Sequence, residues 1–449
     1  LTKGVVRPAE LVFVPLGGSG EIGMNLNLYG HAGKWLMLDC GIGFDNSSGA
    51  TDVIMPDPLF IARQRESLLG LVVTHAHEDH LGAIAYLWRH LRCPVYATPF
   101  PAEILRRKFH DARILGDVPL HEIPTSGTLS LPPFDLRFVD ITHSTVESSA
   151  VIIDTPLGTI LHTGDFKLDP DPLIGPVTDA AVLRACGQKG VLAAISDSTN
   201  ATKEGHSRSE GELRGELLSL LGRYERRIAV ACFASNIARI ATFIEAAKQL
   251  DRHPIIVGRS LLRMIGAARR TGYLGVFPTE VDPREIGYLP PSKVMLICTG
   301  TQGEPGAALS RISTHDHRDV FLERHDTVVF SSKIIPGNEA PIEALHRRLG
   351  RSGIDVVSER DAFVHVSGHP ARDDLRELYD WTRPRIVIPV HGEARHMQAH
   401  AELATSCGVP QTLVPFNGSV VRLAPGPAEI VGKVHAARLR VEGERLVPV

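Results

Sequence analysis

The chain has 449 residues, 43% hydrophobic and 22% charged, with a formal net charge of -3; this supports two or more globular cores and does not by itself resemble a nucleic-acid binder. No apolar stretch approaches the roughly 20 residues that a bilayer-spanning helix needs, and the N-terminus lacks a signal-peptide pattern, so a soluble cytoplasmic protein is expected. The six cysteines are widely spaced with no Cys-x-x-Cys, which argues against a disulfide framework and a thiolate zinc site and leaves them as expected core thiols. A start at Leu1 rather than Met suggests an incomplete N-terminus.

In chain order, the first apolar run is Leu11-Val-Phe-Val-Pro15, followed by Gly18-Ser-Gly-Glu-Ile-Gly23. That glycine spacing fits a dinucleotide-binding fingerprint, which requires a helix next so that its N-terminus can hold a pyrophosphate. Here Asn25-Leu-Asn-Leu-Tyr29 alternates like a strand, so the glycines are expected to form a hairpin turn with no nucleotide cofactor. Lys34-Trp-Leu-Met-Leu-Asp39 then ends on a carboxylate suited to hold metal ligands rather than to bind metal itself.

Next, Leu69-Gly-Leu-Val-Val73 reads as a buried strand running into Thr74-His-Ala-His-Glu-Asp-His80. Residues two apart in an extended segment face the same way. His75 and His77 can therefore share one ion, while the turning chain offers Asp79 and His80 to a second. The bland alternative is a histidine-rich surface loop. Residues 82–91 read as a helix. Further on, His143 follows Leu136-Arg-Phe-Val139, Asp165 follows Gly158-Thr-Ile-Leu-His162, and His391 ends Arg385-Ile-Val-Ile-Pro-Val390. Each alone would be an ordinary turn residue.

Between about 207 and 358 the pattern changes. Helices over 210–224, 236–250 and 260–271 alternate with short apolar strands at 228–231, 254–257 and 294–297, as in a parallel α/β domain. Because His391 must return to the first domain's metals, that domain reads as an insertion. The expected organisation is 1–206 and 359–427 for the split first domain, 207–358 for the insertion, and 428–449 for a linker. Basic residues cluster at 106–108, 223–227, 259–270 and 347–351, either as solvated helix faces or as a one-sided groove. Thr314-His-Asp-His317 lacks a following Asp-His, and its histidines read as exposed loop residues.

Taken in order, Asp39, His75-x-His77-x-Asp79-His80, His143, Asp165 and His391 closely resemble the metallo-β-lactamase superfamily. Ser196-Asp-Ser-Thr-Asn200, Phe233-Ala-Ser-Asn-Ile237, Cys298-Thr-Gly-Thr-Gln-Gly-Glu304, Ile335-Pro-Gly-Asn338, His365-Val-Ser-Gly-His369 and Pro389-Val-His-Gly-Glu393 look like its β-CASP nucleic-acid branch. Within that branch the pattern is similar to the bacterial ribonuclease J family, over almost the whole chain.

The resemblance implies an α/β fold, an αββα metallo-β-lactamase sandwich with an inserted parallel α/β β-CASP domain, and a linker at 428–449 that leads toward a further C-terminal domain. It implies two divalent metal ions, Zn2+ first with Mn2+ or Mg2+ as alternatives. His75, His77 and His143 would hold one, Asp79, His80 and His391 the other, and Asp165 would bridge them. Asp79 would orient or deprotonate the attacking water, Asp39 and Asp197 would fix histidine tautomers, and His369 would protonate the leaving 3′-oxygen or stabilise the charged intermediate. Ser235, Asn236, His365, Ser367 and the Gly368 amide look like a pocket for a terminal 5′-phosphate, although Pro370 departs from the small or polar residue usual in the family. The implied activity is hydrolysis of single-stranded RNA, 5′-to-3′ from monophosphate ends with endonucleolytic cleavage besides, in a homodimer or higher oligomer that joins RNA-decay assemblies. The competing readings are a thioesterase- or lactonase-type hydrolase on the same metal core, which leaves the insertion without purpose, and an inactive RNA-binding scaffold.

Overall fold

Two sheets stack face to face in the computed structural model, which describes residues 7–45, 52–275, 281–335, 337–443 and 445–449; Leu1, Pro336 of the 335–338 motif and the remaining gaps in the expected domain ranges lie outside the described residues. One sheet has eight strands, ordered Glu429–Lys433, Ser419–Ala424, Leu11–Gly17, Leu26–His31, Lys34–Leu38, Leu68–Val72, Val95–Ala97, Leu120–Glu122. The other has seven, ordered Thr128–Leu131, Phe134–Asp140, Ser149–Thr155, Gly158–His162, Val191–Asp197, Ile386–Val390, Gln411–Thr412. Successive strand residues point to opposite faces. Leu11 and Phe13 therefore meet Phe134, Phe138, Ile153 and Ile388 between the sheets, while Val12 and Val14 face the outer helices.

Both faces of the central strands are covered, so a strand that alternates in sequence can be buried throughout, whereas Phe134–Asp140 near the sheet edge still exposes Asp135 and Arg137. Leu26–His31 is buried at every position: Leu26 and Leu28 enter the outer core and Tyr29 the inner one. The outer helix Ile84–Leu91 presents Ile84, Leu87, Trp88 and Leu91 on one face, the spacing of a single apolar stripe. The expected single helix over 82–91 is instead preceded by a separate turn of helix, Glu78–Leu81. On the far side Leu183, Leu375, Leu378 and Leu403 cover the second sheet. The αββα arrangement implied by the sequence is present.

A third sheet, parallel throughout, runs His253–Val257, Val294–Cys298, Ile228–Ala231, Thr327–Phe330, Asp355–Val357. Its helices Glu210–Leu221, Ile237–Gln249 and Arg259–Arg270 sit close to where periodicity puts them. The chain then returns, and Ile386–Val390 pairs in parallel with Val191–Asp197. The first domain's sheet is therefore closed by residues from both sides of the insertion.

Two expectations need correction. Residues 428–449, read as a linker, contain three strands: Glu429–Lys433 extends the eight-stranded sheet, and Arg438–Glu442 pairs with both Arg445–Pro448 and Asp52–Pro56. Glu429–Lys433 is an exposed edge strand that pairs on one side only, and Arg438–Glu442 is charge-rich although it pairs on both, so neither shows a buried apolar run in sequence. Cys407 is exposed, whereas Cys40, Cys93, Cys186, Cys232 and Cys298 are buried, and all six are free.

Candidate metal centre and substrate loop

Strand ends deliver the polar residues. Leu68–Val72 releases the chain into His75 and His77, Gly158–His162 into Asp165, Val191–Asp197 ends on Asp197, and Ile386–Val390 is followed by His391. His75 Nε2 and His143 Nε2 lie 3.2 and 3.1 Å from His77 Nδ1. Three imidazole nitrogens at this spacing match the ~3.4 Å edge of a tetrahedron built on metal–nitrogen bonds of ~2.1 Å. Asp165 Oδ2 lies 3.9 Å from both His75 Nε2 and His143 Nε2 and 3.2 Å from His80 Nε2. It is buried and accepts no hydrogen bond. A buried carboxylate oxygen without a partner is costly unless a cation takes that place.

A second group forms on the other side of Asp165. His391 Nε2 is 3.1 Å from Asp79 Oδ2, His80 Nε2 is 3.8 Å from the same oxygen, and His391 Nδ1 is 3.7 Å from Asp165 Oδ1. Ligand atoms of His75, His77, His143 and Asp165 converge within 4.8 Å, as do those of Asp79, His80, Asp165 and His391. The donor set of imidazoles and carboxylates thus fits two divalent ions sharing one aspartate.

The surrounding hydrogen bonds fix which nitrogen each ring turns inward. Asp39 accepts from His80 Nδ1 (2.7 Å), from the Thr74 amide (2.8 Å) and from Thr74 Oγ1 (2.9 Å). Since the Thr74 hydroxyl donates to Asp39, it accepts from His75 Nδ1 at 3.0 Å. Gly368 O accepts from His143 Nδ1 at 2.5 Å. Asp197 Oδ2 accepts from His369 Nδ1 at 2.8 Å, and Thr199 Oγ1 lies 2.8 Å from His391 Nδ1.

Charge follows the same geometry. Burial, aided by the neighbouring histidines, holds His75 and His143 well below the usual imidazole range, and burial takes His77 down to about 4. Burial also opposes the charged form of His80 and His391, but Asp165 and the other carboxylates outweigh it and raise both. For Asp79 and Asp165, burial acts upward and is outweighed by the facing histidines, so both carboxyls are held below the ordinary range. The carboxylates that raise His80 and His391 make a negative field that divalent cations would balance.

Two glycines are set by close approach. A Cβ on Gly41 would lie 1.6 Å from Asp79 O, and one on Gly368 would lie 2.8 Å from the His143 ring. Gly368 therefore lets the 365–369 loop lie against the cage. His369 stacks on His391, ring centroids 5.4 Å apart, and its side chain is 23% exposed. Ser367 Oγ accepts from Asn200 Nδ2 (2.7 Å) and the His369 amide (3.3 Å), while Ser207 Oγ and Asn200 Nδ2 donate to His369 O. Buried His365 Nδ1 has no partner. Burial lowers the His365 pKa, and Arg239, Lys333, Lys167 and Lys203 lower it further.

Ser235 is half-buried and lines a cavity of about 470 Å³ that also touches Ala76, between His75 and His77. Asn236 is buried, and its side chain accepts from Arg239 N at 2.9 Å as the cap of helix Ile237–Gln249. That spends its carbonyl on the fold. Sequence reasoning missed Thr74 and Thr199, although both stand inside the quoted motifs. It also missed Lys203 and Lys333, whose only signal is their nearness to the 196–200 motif and to Ser331. Lys333 is pushed down to about 8 by burial and by Lys203.

Three family models match: the metallo-β-lactamase superfamily over residues 24–218, the ribonuclease J β-CASP domain over 225–349, and the Zn-dependent metallo-hydrolase RNA specificity domain over 353–411. A curated ribonuclease J from Sinorhizobium meliloti is 43% identical over 98% of this chain and 79% of its own length. This chain belongs to the ribonuclease J family. The ribonuclease J of Mycolicibacterium smegmatis is 41% identical over the same shares, and that of Helicobacter pylori strain J99 is 32% identical over 97% of this chain and 64% of its own. A crystal structure of an Enterococcus faecalis protein of unknown function covers 92% of this chain and 100% of its own at TM-score 0.61 and 14% identity, a likeness of fold alone. Family membership and the His/Asp clusters support a metal-dependent ribonuclease. Among the described residues no helix is long and apolar enough to cross a membrane.

Proposed function

We propose that this ribonuclease J relative hydrolyses single-stranded RNA from a 5′-monophosphate end, with internal cleavage on the same centre. The observation that carries the reading is the attachment of the 365–369 loop to the cage, through Gly368 O on His143 and His369 on Asp197. His75, His77 and His143 would hold one divalent ion, Asp79, His80 and His391 the other, with Asp165 between them. When bound, such a pair lowers the pKa of a water and balances the charge that develops on the phosphate. Imidazole-rich donors favour Zn2+, with Mn2+ and Mg2+ as the alternatives that metal analysis distinguishes.

The chain's own groups supply the rest. Asp79, 30% exposed at its side chain, orients the attacking water or takes its proton. Asp197 holds His369 by Nδ1, which leaves Nε2 to protonate the leaving 3′-oxygen, and Asp39 keeps His75 and His80 in register. Ser235, the Ser367 hydroxyl, the Gly368 amide and neutral His365 surround the terminal phosphate, with Lys203 and Lys333 supplying positive charge. Asn236 serves that pocket by fixing the helix start beside Ser235 rather than by touching phosphate.

In this reading 1–206 and 359–427 form the metal-binding part and 207–358 the insertion that grips RNA. The protein works in the cytoplasm as a homodimer or larger oligomer and as a component of RNA-decay assemblies. The test is hydrolysis of 5′-labelled RNA with and without chelator, comparing monophosphate and triphosphate ends. Mononucleotides released faster from the monophosphate end, and only with metal, are expected. Equal rates with no 5′ mononucleotide would leave an endonuclease.

A further inference from the structure

A line of buried charge crosses the domain seam. Lys167, two residues past Asp165 and 1% exposed at its side chain, has Nζ 2.7 Å from Asp169 Oδ2 and donates to Arg208 O at 3.1 Å. Asp169 Oδ2 also accepts from the amide of Glu210, the first residue of helix Glu210–Leu221. The Glu210 carboxylate takes both Arg239 Nε (3.1 Å) and Arg239 Nη2 (2.9 Å). Arg239 Nη1 donates to Ser331 Oγ at 2.5 Å and reaches Ser331 O and Val364 O at 3.3 Å. Ser331 Oγ then donates to Val364 O at 2.6 Å. Val364 is the residue before His365.

Arg239 heads the fully buried large side chains of the protein. Burying an ion pair costs several kcal/mol per ion, and an apolar pair of similar volume generally holds a helix as well or better. What an apolar pair lacks is direction. Only the planar guanidinium fork reaches a carboxylate on one side and two carbonyls and a hydroxyl on the other. The cage fixes the loop at Gly368 and His369; the fork fixes it at Val364, from the insertion.

We propose that Arg239, braced by Glu210 and Ser331, is a positioning residue that aligns the 365–369 loop with the metal cage across the domain seam. This rests on the reading that the loop grips the terminal phosphate and presents His369. A displacement of about 1 Å at such a site costs on the order of 10²-fold in rate.

Arg239→Lys keeps the charge and loses the fork; Ser331→Ala removes one hydroxyl from the same junction and little volume. Both are compared with wild type on 5′-monophosphate RNA and on bis(p-nitrophenyl) phosphate, whose leaving group needs no proton and which has no terminal phosphate to grip. Bound metal and amide hydrogen exchange over 364–369 are measured alongside. Expected are unchanged metal content and small-diester turnover, faster exchange in the loop of the metal-free protein, and a fall in kcat on RNA on the order of 10²-fold for Arg239→Lys. A parallel fall on both substrates would reduce the pair to a scaffold role and overturn the proposal. Normal RNA kinetics in both variants, beside a crippled His369→Ala, would overturn it alone. A fully active His369→Ala would remove the loop reading and this proposal with it.

Discussion

His77 faces the cage through Nδ1, whereas His75 and His143 present Nε2. Its loss leaves two imidazoles and Asp165, which weakens and reshapes the set that would hold that ion. His77→Ala should abolish hydrolysis while RNA still binds, since charge stabilisation is lost but the groove remains; normal turnover in metal-analysed protein would contradict the assignment. His369→Ala should slow the chemical step by on the order of 10²–10⁴-fold with both metals retained. Metal loss in that variant, measured by elemental analysis, would make the residue structural or a ligand.

Two other histidines set an acid limit. His162, 2.8 Å from the Tyr29 hydroxyl, and His400, 2.9 Å from Ser198 Oγ, are each lowered by burial from 6.5 to about 4. The unfolded chain therefore binds a proton near 6.5 that the folded chain refuses until about 4. Stability should fall as pH drops through that window, by at most roughly 3 kcal/mol per histidine. Melting temperatures across the range test this, and His400→Gln should flatten the slope. A wild-type profile level from neutral to pH 4 would contradict it.

At the level of elements, much was legible because the same rule governs sequence and site. Apolar runs that lead into His or Asp mark strands of both stacked sheets whose ends meet on one side of the sandwich, which places His75, His143, Asp165 and His391. Asn236 caps its helix, and a capping asparagine and a binding asparagine look alike in sequence. The C-terminal strands were invisible for another reason: Arg438–Glu442 gains its meaning from Asp52–Pro56, far away in the chain. Removing residues 429–449 would leave Asp52–Pro56 paired with Gly43–Asp45 alone and free the Asp57 amide, which donates to Ala437 O at 2.8 Å. A drop of several degrees in melting temperature is expected, at about 2–4 °C per kcal/mol for large domains, with metal content unchanged. An unaltered melt would mean that these strands add nothing.

Across the whole molecule, the basic clusters separate by partner. Arg226 and Arg227 pair with Glu323 and Asp326 and belong to the fold. Lys108, Arg263 and Arg270 line the cavity that reaches Ala76, where Arg270 pairs with Glu103 at 2.7 Å and Arg263 with Asp111 at 3.5 Å, joining the two domains. Exposed pairs of this kind contribute little to stability, and phosphate is a better partner for arginine than a screened carboxylate. Arg263→Ala with Arg270→Ala should weaken RNA binding and reduce its dependence on salt by about one unit of slope per residue, with kcat at saturation near wild type. An unchanged salt slope would exclude the cleft as the RNA path.

Pairing of Ile386–Val390 with Val191–Asp197 also sets a timetable. Synthesis proceeds from the N-terminus, and His391 emerges only after the insertion has been made. A growing chain therefore lacks the His391 imidazole until the insertion is complete, and Ile386–Val390 cannot close the seven-stranded sheet before then.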